Sequence, residues 1–123
     1  MSDELHEIGT RIRREVLGDD HVEKALAGTT ELTAAFQDFI TRYAWGAVWA
    51  RDALDRRTRS AITLAALTVL GHEQELELHI RAAIRNGLSE AEIAEVLLHT
   101  AVYAGVPAAN AAFRVAQRVL DER

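Results

Sequence analysis

The sequence has 123 residues, 49% apolar and 27% charged, which suits one globular domain with a real core and excludes a disordered tail or a fibrous repeat. Fourteen basic side chains against 19 acidic give a formal charge of −5, without the basic footprint that nonspecific nucleic-acid binding requires. There is no cysteine, so disulfide scaffolds, thiolate metal sites and thiol-based redox chemistry are ruled out.

Twenty-two alanines and a single proline favour helix throughout. Leu5, Ile8, Ile12 and Val16 recur at three- and four-residue spacing and predict an amphipathic helix over residues 3–16. The polar, acid-bearing start has no apolar core like that of a signal peptide, so the expected location is the cytoplasm. Gly18-Asp19-Asp20 breaks the pattern, and a short helix follows through Leu26. Beyond Gly28-Thr29-Thr30, a helix is expected over Glu31–Tyr43, its stripe of Leu32, Ala35, Phe36, Phe39 and Ile40 turned to the core. Ala44–Ala53 holds both tryptophans and Gly46, and reads either as a short helix or as a turn packed on the core.

Asp55 suits an N-cap for a helix from Arg56 to Leu70, closed by Gly71. Its Ala61–Leu70 stretch is apolar on nearly all sides, as in a surrounded helix. Interrupted by Thr63 and Thr68, it falls far short of a ~20-residue span, so no membrane partner is expected. A helix over Gln74–Asn86 closes at Gly87, and Ser89-Glu-Ala-Glu92 is a capping box opening a helix with Ile93, Val96 and Leu97 inside. Gly105 ends that helix, and Pro107 begins the last, which runs to about Leu120. The expected fold class is all-α: a single-domain bundle of about six helices over residues 1–123. A chain this small cannot cover every side of the Ala61–Leu70 helix, so a homo-oligomer is expected.

Three polar clusters stand in apolar surroundings, where burial is costly unless the groups are satisfied or used. His72, Glu75 and His79 fall at i, i+3 and i+7 and share a face if the segment is helical throughout. A zinc HExxH motif would need a second His where Leu76 stands, and a di-iron bundle needs Glu-x-x-His twice, so no metal is expected. The bland alternative is a solvated face with one satisfied histidine. His99 and Tyr103 lie one turn apart, with Asn110 across the Gly105-Val-Pro107 turn; a His in such a place is often a core residue bonded to backbone. The third cluster combines Arg42, Tyr43, Trp45, Trp49 and Arg51 with Arg56, Arg57 and Arg59. Either these line a pocket for a planar carboxylate, or the aromatics are core and the arginines surface. Thirteen of the 14 basic residues are Arg, whose planar fork suits carboxylates better than a Lys point charge, although drift in composition gives the same count.

Four strings carry a resemblance: Thr41-Arg-Tyr-Ala-Trp-Gly46, Leu54-Asp-Arg-Arg-Thr-Arg-Ser60, Gly71-His-Glu-Gln-Glu-Leu-Glu-Leu-His79 and His99 through Phe113. Together they resemble the carboxymuconolactone decarboxylase family over about Ile12 to Val119. The resemblance implies an all-helical, alkylhydroperoxidase-D-like fold and a ring-shaped homo-oligomer, a hexamer built as a trimer of dimers. It also implies a cytoplasmic enzyme of protocatechuate breakdown in the β-ketoadipate pathway, which converts the carboxylated lactone to an enol-lactone and CO2. Peroxidases of the wider superfamily carry Cys-x-x-Cys-x-x-x-His in the same region. Aligned on the last His, that motif puts His72 and Glu75 at the two cysteines and retains His79, with Ser60 or Arg59 at a helper glutamate. The redox alternative therefore lacks its thiols.

The implied substrate is an unsaturated lactone with a ring carboxylate and an acetate arm. As CO2 leaves, the electrons move through the conjugated double bond to the lactone oxygen, so no cofactor is expected. The chain must hold two carboxylates, stabilise the oxyanion and return a proton. Arg57 and Arg59 are the expected carboxylate clamps, with Arg42 and Arg51 in reserve. His72 and His79 are the expected general acid and oxyanion donor, and Glu75 an orienting or shuttling group. His99, Tyr103 and Asn110 would complete the pocket, while Tyr43, Trp45 and Trp49 would exclude water. Three rivals are a thiol-independent hydroperoxide reductase, a noncatalytic interaction module, and a lactone isomerase that releases no CO2.

Overall fold

In a computed structural model, which describes residues 3–123, the chain forms two compact units, one of residues up to Asp55 and the other of Arg56–Arg123. The first holds α1 (Glu4–Leu17), α2 (Asp19–Ala27), α3 (Ala34–Phe39) and a π-helical segment, Ile40–Trp49, that continues α3 directly. The second holds α4 (Arg56–Leu70), α5 (Glu73–Arg85), α6 (Glu90–Ala104) and α7 (Val106–Asp121). Seven α-helices and no strand are present among the described residues, so the all-α expectation stands with one more helix than the six or so expected.

The N-terminal unit is organised by α1 lying against the π-helical segment. Two glycines make that approach possible. A Cβ on Gly9 would overlap the carbonyl oxygen of Thr41, and one on Gly46 would meet the carbonyl oxygen of Leu5. Ile12 and Val16 are buried, as their spacing predicts. The helix expected over Glu31–Tyr43 is corrected: residues 31–33 form a turn, α3 has a turn and a half, and the chain then widens into π geometry as far as Trp49. Ala50 N–H bonds the carbonyl of Trp45, five residues back. Its stripe is also not core, because Leu32 is 91% exposed and Phe36 and Phe39 are more than half exposed. Thr41, Trp45 and Gly46 are the residues this segment buries.

In the C-terminal unit α4 packs on both α5 and α6, and α7 closes the group against the same three helices. Leu64, Leu76, Ile80, Ile93, Leu97 and Val115 are essentially inaccessible and form its core with Ala83, Ala112 and Val119. Truncating such a residue to Ala typically costs 2–5 kcal/mol. Ser89 caps α6 through the expected reciprocal bonds with Glu92. Gly105, at φ +95°, makes the sharp exit from α6 that lets Pro107 sit in the first turn of α7. One side of α4 stays uncovered: Ile62, Val69 and Leu70 are exposed, while Ser60, Leu64 and Thr68 face inward. No described helix is long and apolar enough to cross a membrane.

Candidate active site

The α4–α5 corner carries the first cluster. His72 lies just before α5, at φ −86° and ψ 78°, so the shared helical face of His72, Glu75 and His79 is corrected. The backbone of His72 makes the corner: its N–H bonds the carbonyl of Leu67 at 3.1 Å, and its carbonyl accepts from Leu76 N–H at 2.9 Å. Its imidazole is exposed, as is Glu75 in the first turn of α5. His79, one turn after Glu75, is partly buried. Ser60, aligned with the superfamily's helper glutamate, is buried and accepts a 3.1 Å bond from the Asn86 amide, a structural rather than proton-relaying role.

Between α4 and α6 runs a groove in two adjoining parts, each of about 420 Å³. Arg57, Ala61, Glu92 and Glu95 line one part; Ile62, Ala65, Glu95 and His99 line the other. Its walls are mostly small and apolar, with Arg57 and Glu92 charged in one part and Glu95 shared by both. Arg57 already holds a carboxylate: its guanidinium grips Glu92 with both terminal nitrogens and also donates to the carbonyl of Gly87. That guanidinium, together with the Ser89 N–H, holds the Glu92 carboxyl at a pKa of about 2. Sequence reasoning saw Glu92 only as a capping residue and missed it in the groove; its pairing with Arg57, 35 residues away, left no local signal.

The other predicted residues fall elsewhere. Tyr103 is 79% exposed, its ring 5.5 Å from that of His99 along α6. Asn110 lines a different groove on α7 with Phe113, Arg114 and Gln117. Arg59 is partly buried on α4, one turn before Thr63, whose hydroxyl bonds the Arg59 carbonyl. In the N-terminal unit Trp45 and Trp49 stack at 5.2 Å and Tyr43 pairs with Phe39 at 5.3 Å. Arg42 is held by Asp3 and Asp38, at 2.7 and 2.8 Å. Within the C-terminal unit, then, the candidates form an α5 group (His72, Glu75, His79) and an α4–α6 group (Arg57, His99). Among the described residues, no three of His, Asp and Glu gather as a metal would require.

Residues 34–118 match the profile of the carboxymuconolactone decarboxylase family. The chain belongs to this family. It is 45% identical over 123 residues to 4-carboxymuconolactone decarboxylase of Acinetobacter baylyi, a match that covers 99% of this chain and 92% of that protein. It is also 43% identical over 125 residues to nitrosuccinic acid decarboxylase npaB of Metarhizium robertsii, covering 98% and 87%. The family match begins at residue 34, so it takes in α3 and the π-helical segment of the N-terminal unit and nearly all of the C-terminal unit.

Proposed function

We propose that the chain is a cofactor-independent carboxy-lyase that converts 4-carboxymuconolactone to 3-oxoadipate enol-lactone and CO2. The observation that carries this reading is 45% identity, across nearly the whole chain, to a protein named for that reaction. The second relative, also a decarboxylase, is named for nitrosuccinic acid. The two acids share a chemical property: each has an electron-withdrawing group, an unsaturated lactone or a nitro group, that can take up the electron pair released with CO2. Two such names on similar chains favour a scaffold that stabilises an oxyanion. The redox alternative needs thiols, and the chain has none.

In this reading residues 1–123 work as one domain, in the cytoplasm and in the β-ketoadipate pathway of protocatechuate breakdown. The C–CO2 bond breaks heterolytically, its electrons pass through the ring double bond to the lactone carbonyl oxygen, and a proton is returned to the ring carbon next to the carbonyl. His79, partly buried, is the better proton donor, and His72 the oxyanion donor, with Glu75 orienting them. Arg59 clamps the acetate arm, and Arg57 shares its fork between the substrate and Glu92. His99 borders the substrate from the groove between α4 and α6. The chain works as a homo-oligomer, a hexamer, that covers the apolar side chains left open on α3 and α4. The test is to supply the carboxylated lactone and follow CO2 and the enol-lactone. Their joint appearance supports the reading, while ring rearrangement without CO2, or peroxide consumption instead, overturns it.

A further inference from the structure

We infer that Arg13, with Thr41 and Gln37 beside it, anchors a binding site in the N-terminal unit for the carboxylate of a small organic acid. Arg13 is only 5% exposed. It makes a long hydrogen bond, 3.3 Å from Nη1 to the Thr41 hydroxyl, which itself donates to the Gln37 carbonyl at 2.8 Å. Its Nε is buried without a partner, and among the described residues no carboxylate bonds it. More exposed arginines in the same unit do the opposite: Arg14 holds Asp19 and Glu23, and Arg42 holds Asp3 and Asp38. The least accessible of these cations is thus the one left uncompensated, and a buried charge without a counter-charge is strongly destabilising.

The surroundings add positive charge and adaptable polarity. Burial holds the His21 pKa below its usual value, and the nearby cations Arg13 and Lys24 push it the same way, so the field there is positive. Gln37 presents a second unpartnered buried atom, its side-chain oxygen. A half-turn of that amide exchanges the oxygen for an NH2, so the orphaned acceptor can become a donor. A planar carboxylate matches the open edge of a guanidinium and neutralises one charge with one charge. The inference does not depend on the roles given to His72, Glu75 and His79, and it stands or falls separately from the identity of the decarboxylated acid.

The experiment is thermal unfolding of the full chain with succinate, against neutral succinamide at matched ionic strength, for the parent, Arg13→Met and Arg13→Lys. Succinate should raise the parent midpoint by roughly 5 °C near saturation, succinamide should not, and Arg13→Met should abolish the rise. Arg13→Lys keeps the charge without the fork and should lose most of it. Without ligand, Arg13→Met should melt at or above the parent, because an apolar side chain replaces an uncompensated cation. No succinate effect on the parent, or the same rise in Arg13→Met, overturns the inference. A fall in assembly mass in Arg13→Met also overturns it, since Arg13 would then pair with an acid of a second copy. Should neither variant fold, imidazole titration of the parent decides: bound succinate raises the His21 pKa, and an unmoved value counts against the site.

Discussion

The side chains that the proposed reaction relies on most are imidazoles and guanidiniums, and each makes a separable prediction. His79→Ala and His72→Ala should each lower turnover of the lactone by ~100-fold, the usual loss when a transition-state donor is removed. Turnover within about threefold of the parent in both would end the proposed role of the α4–α5 corner. Glu92→Gln keeps a capping residue at the third position of α6 while removing the charge that Arg57 grips. The folded pKa of Glu92 is about 2, below the ordinary 4.5, so its pairing stabilises the fold above pH 4.5, and that stability fades as pH falls toward 2. The melting temperature of Glu92→Gln should therefore lie below the parent's at pH 7 and converge with it in acid. A pH-independent gap would contradict the pairing. The Arg57–Glu92 pair also shows where sequence reasoning stops. Arg57 reads as a free clamp because nothing in a linear pattern reports which carboxylate a guanidinium meets 35 residues on.

At the level of helices, the C-terminal unit was nearly transparent. α4 through α7 begin and end within a residue or so of the positions expected, because Gly71, Gly87, Gly105, Ser89 and Pro107 are terminators and caps that act locally. Ser89→Ala should cost about 1 kcal/mol in denaturant unfolding, and a neutral result would mean that the capping box adds nothing. The N-terminal unit was less legible. Thr41, Trp45 and Gly46 turn inward only because the backbone changes from α to π at Ile40, and a 3.6-residue period cannot report that change. The gain from the wider turn is the close seating of α1 at Gly9. Gly9→Ala should accordingly destabilise the unit by about 3 kcal/mol or more, since the added methyl meets backbone rather than a movable side chain. If Gly9→Ala melts like the parent, this packing is wrong. His72 was misplaced for a related reason: spacing assumes a helix that starts only at Glu73.

For the whole molecule, the mismatch between chain size and apolar surface was legible in the sequence, and the structure gives it an address. Leu32, Phe36, Phe39 and Tyr43 stay open in one unit, and Ile62, Val69, Leu70 and Val102 in the other. Single exposed apolar residues are ordinary, and these are the groups that the proposed oligomer would cover. Light scattering should give a mass several times 13.6 kDa, and Phe36→Glu should lower it. A monodisperse 13.6 kDa species would contradict the oligomer. The family, by contrast, was legible through four strings of residues rather than through any one spacing, because in the proposed reaction the substrate supplies its own electron sink and asks the protein only for charge, shape and one proton. The most direct measurement is turnover of the carboxylated lactone in D2O, with gas release and product mass read together. One CO2 per lactone consumed and one deuterium on the ring carbon beside the carbonyl are expected. Product formed without CO2, or CO2 without deuterium at that carbon, would contradict the proposed reaction.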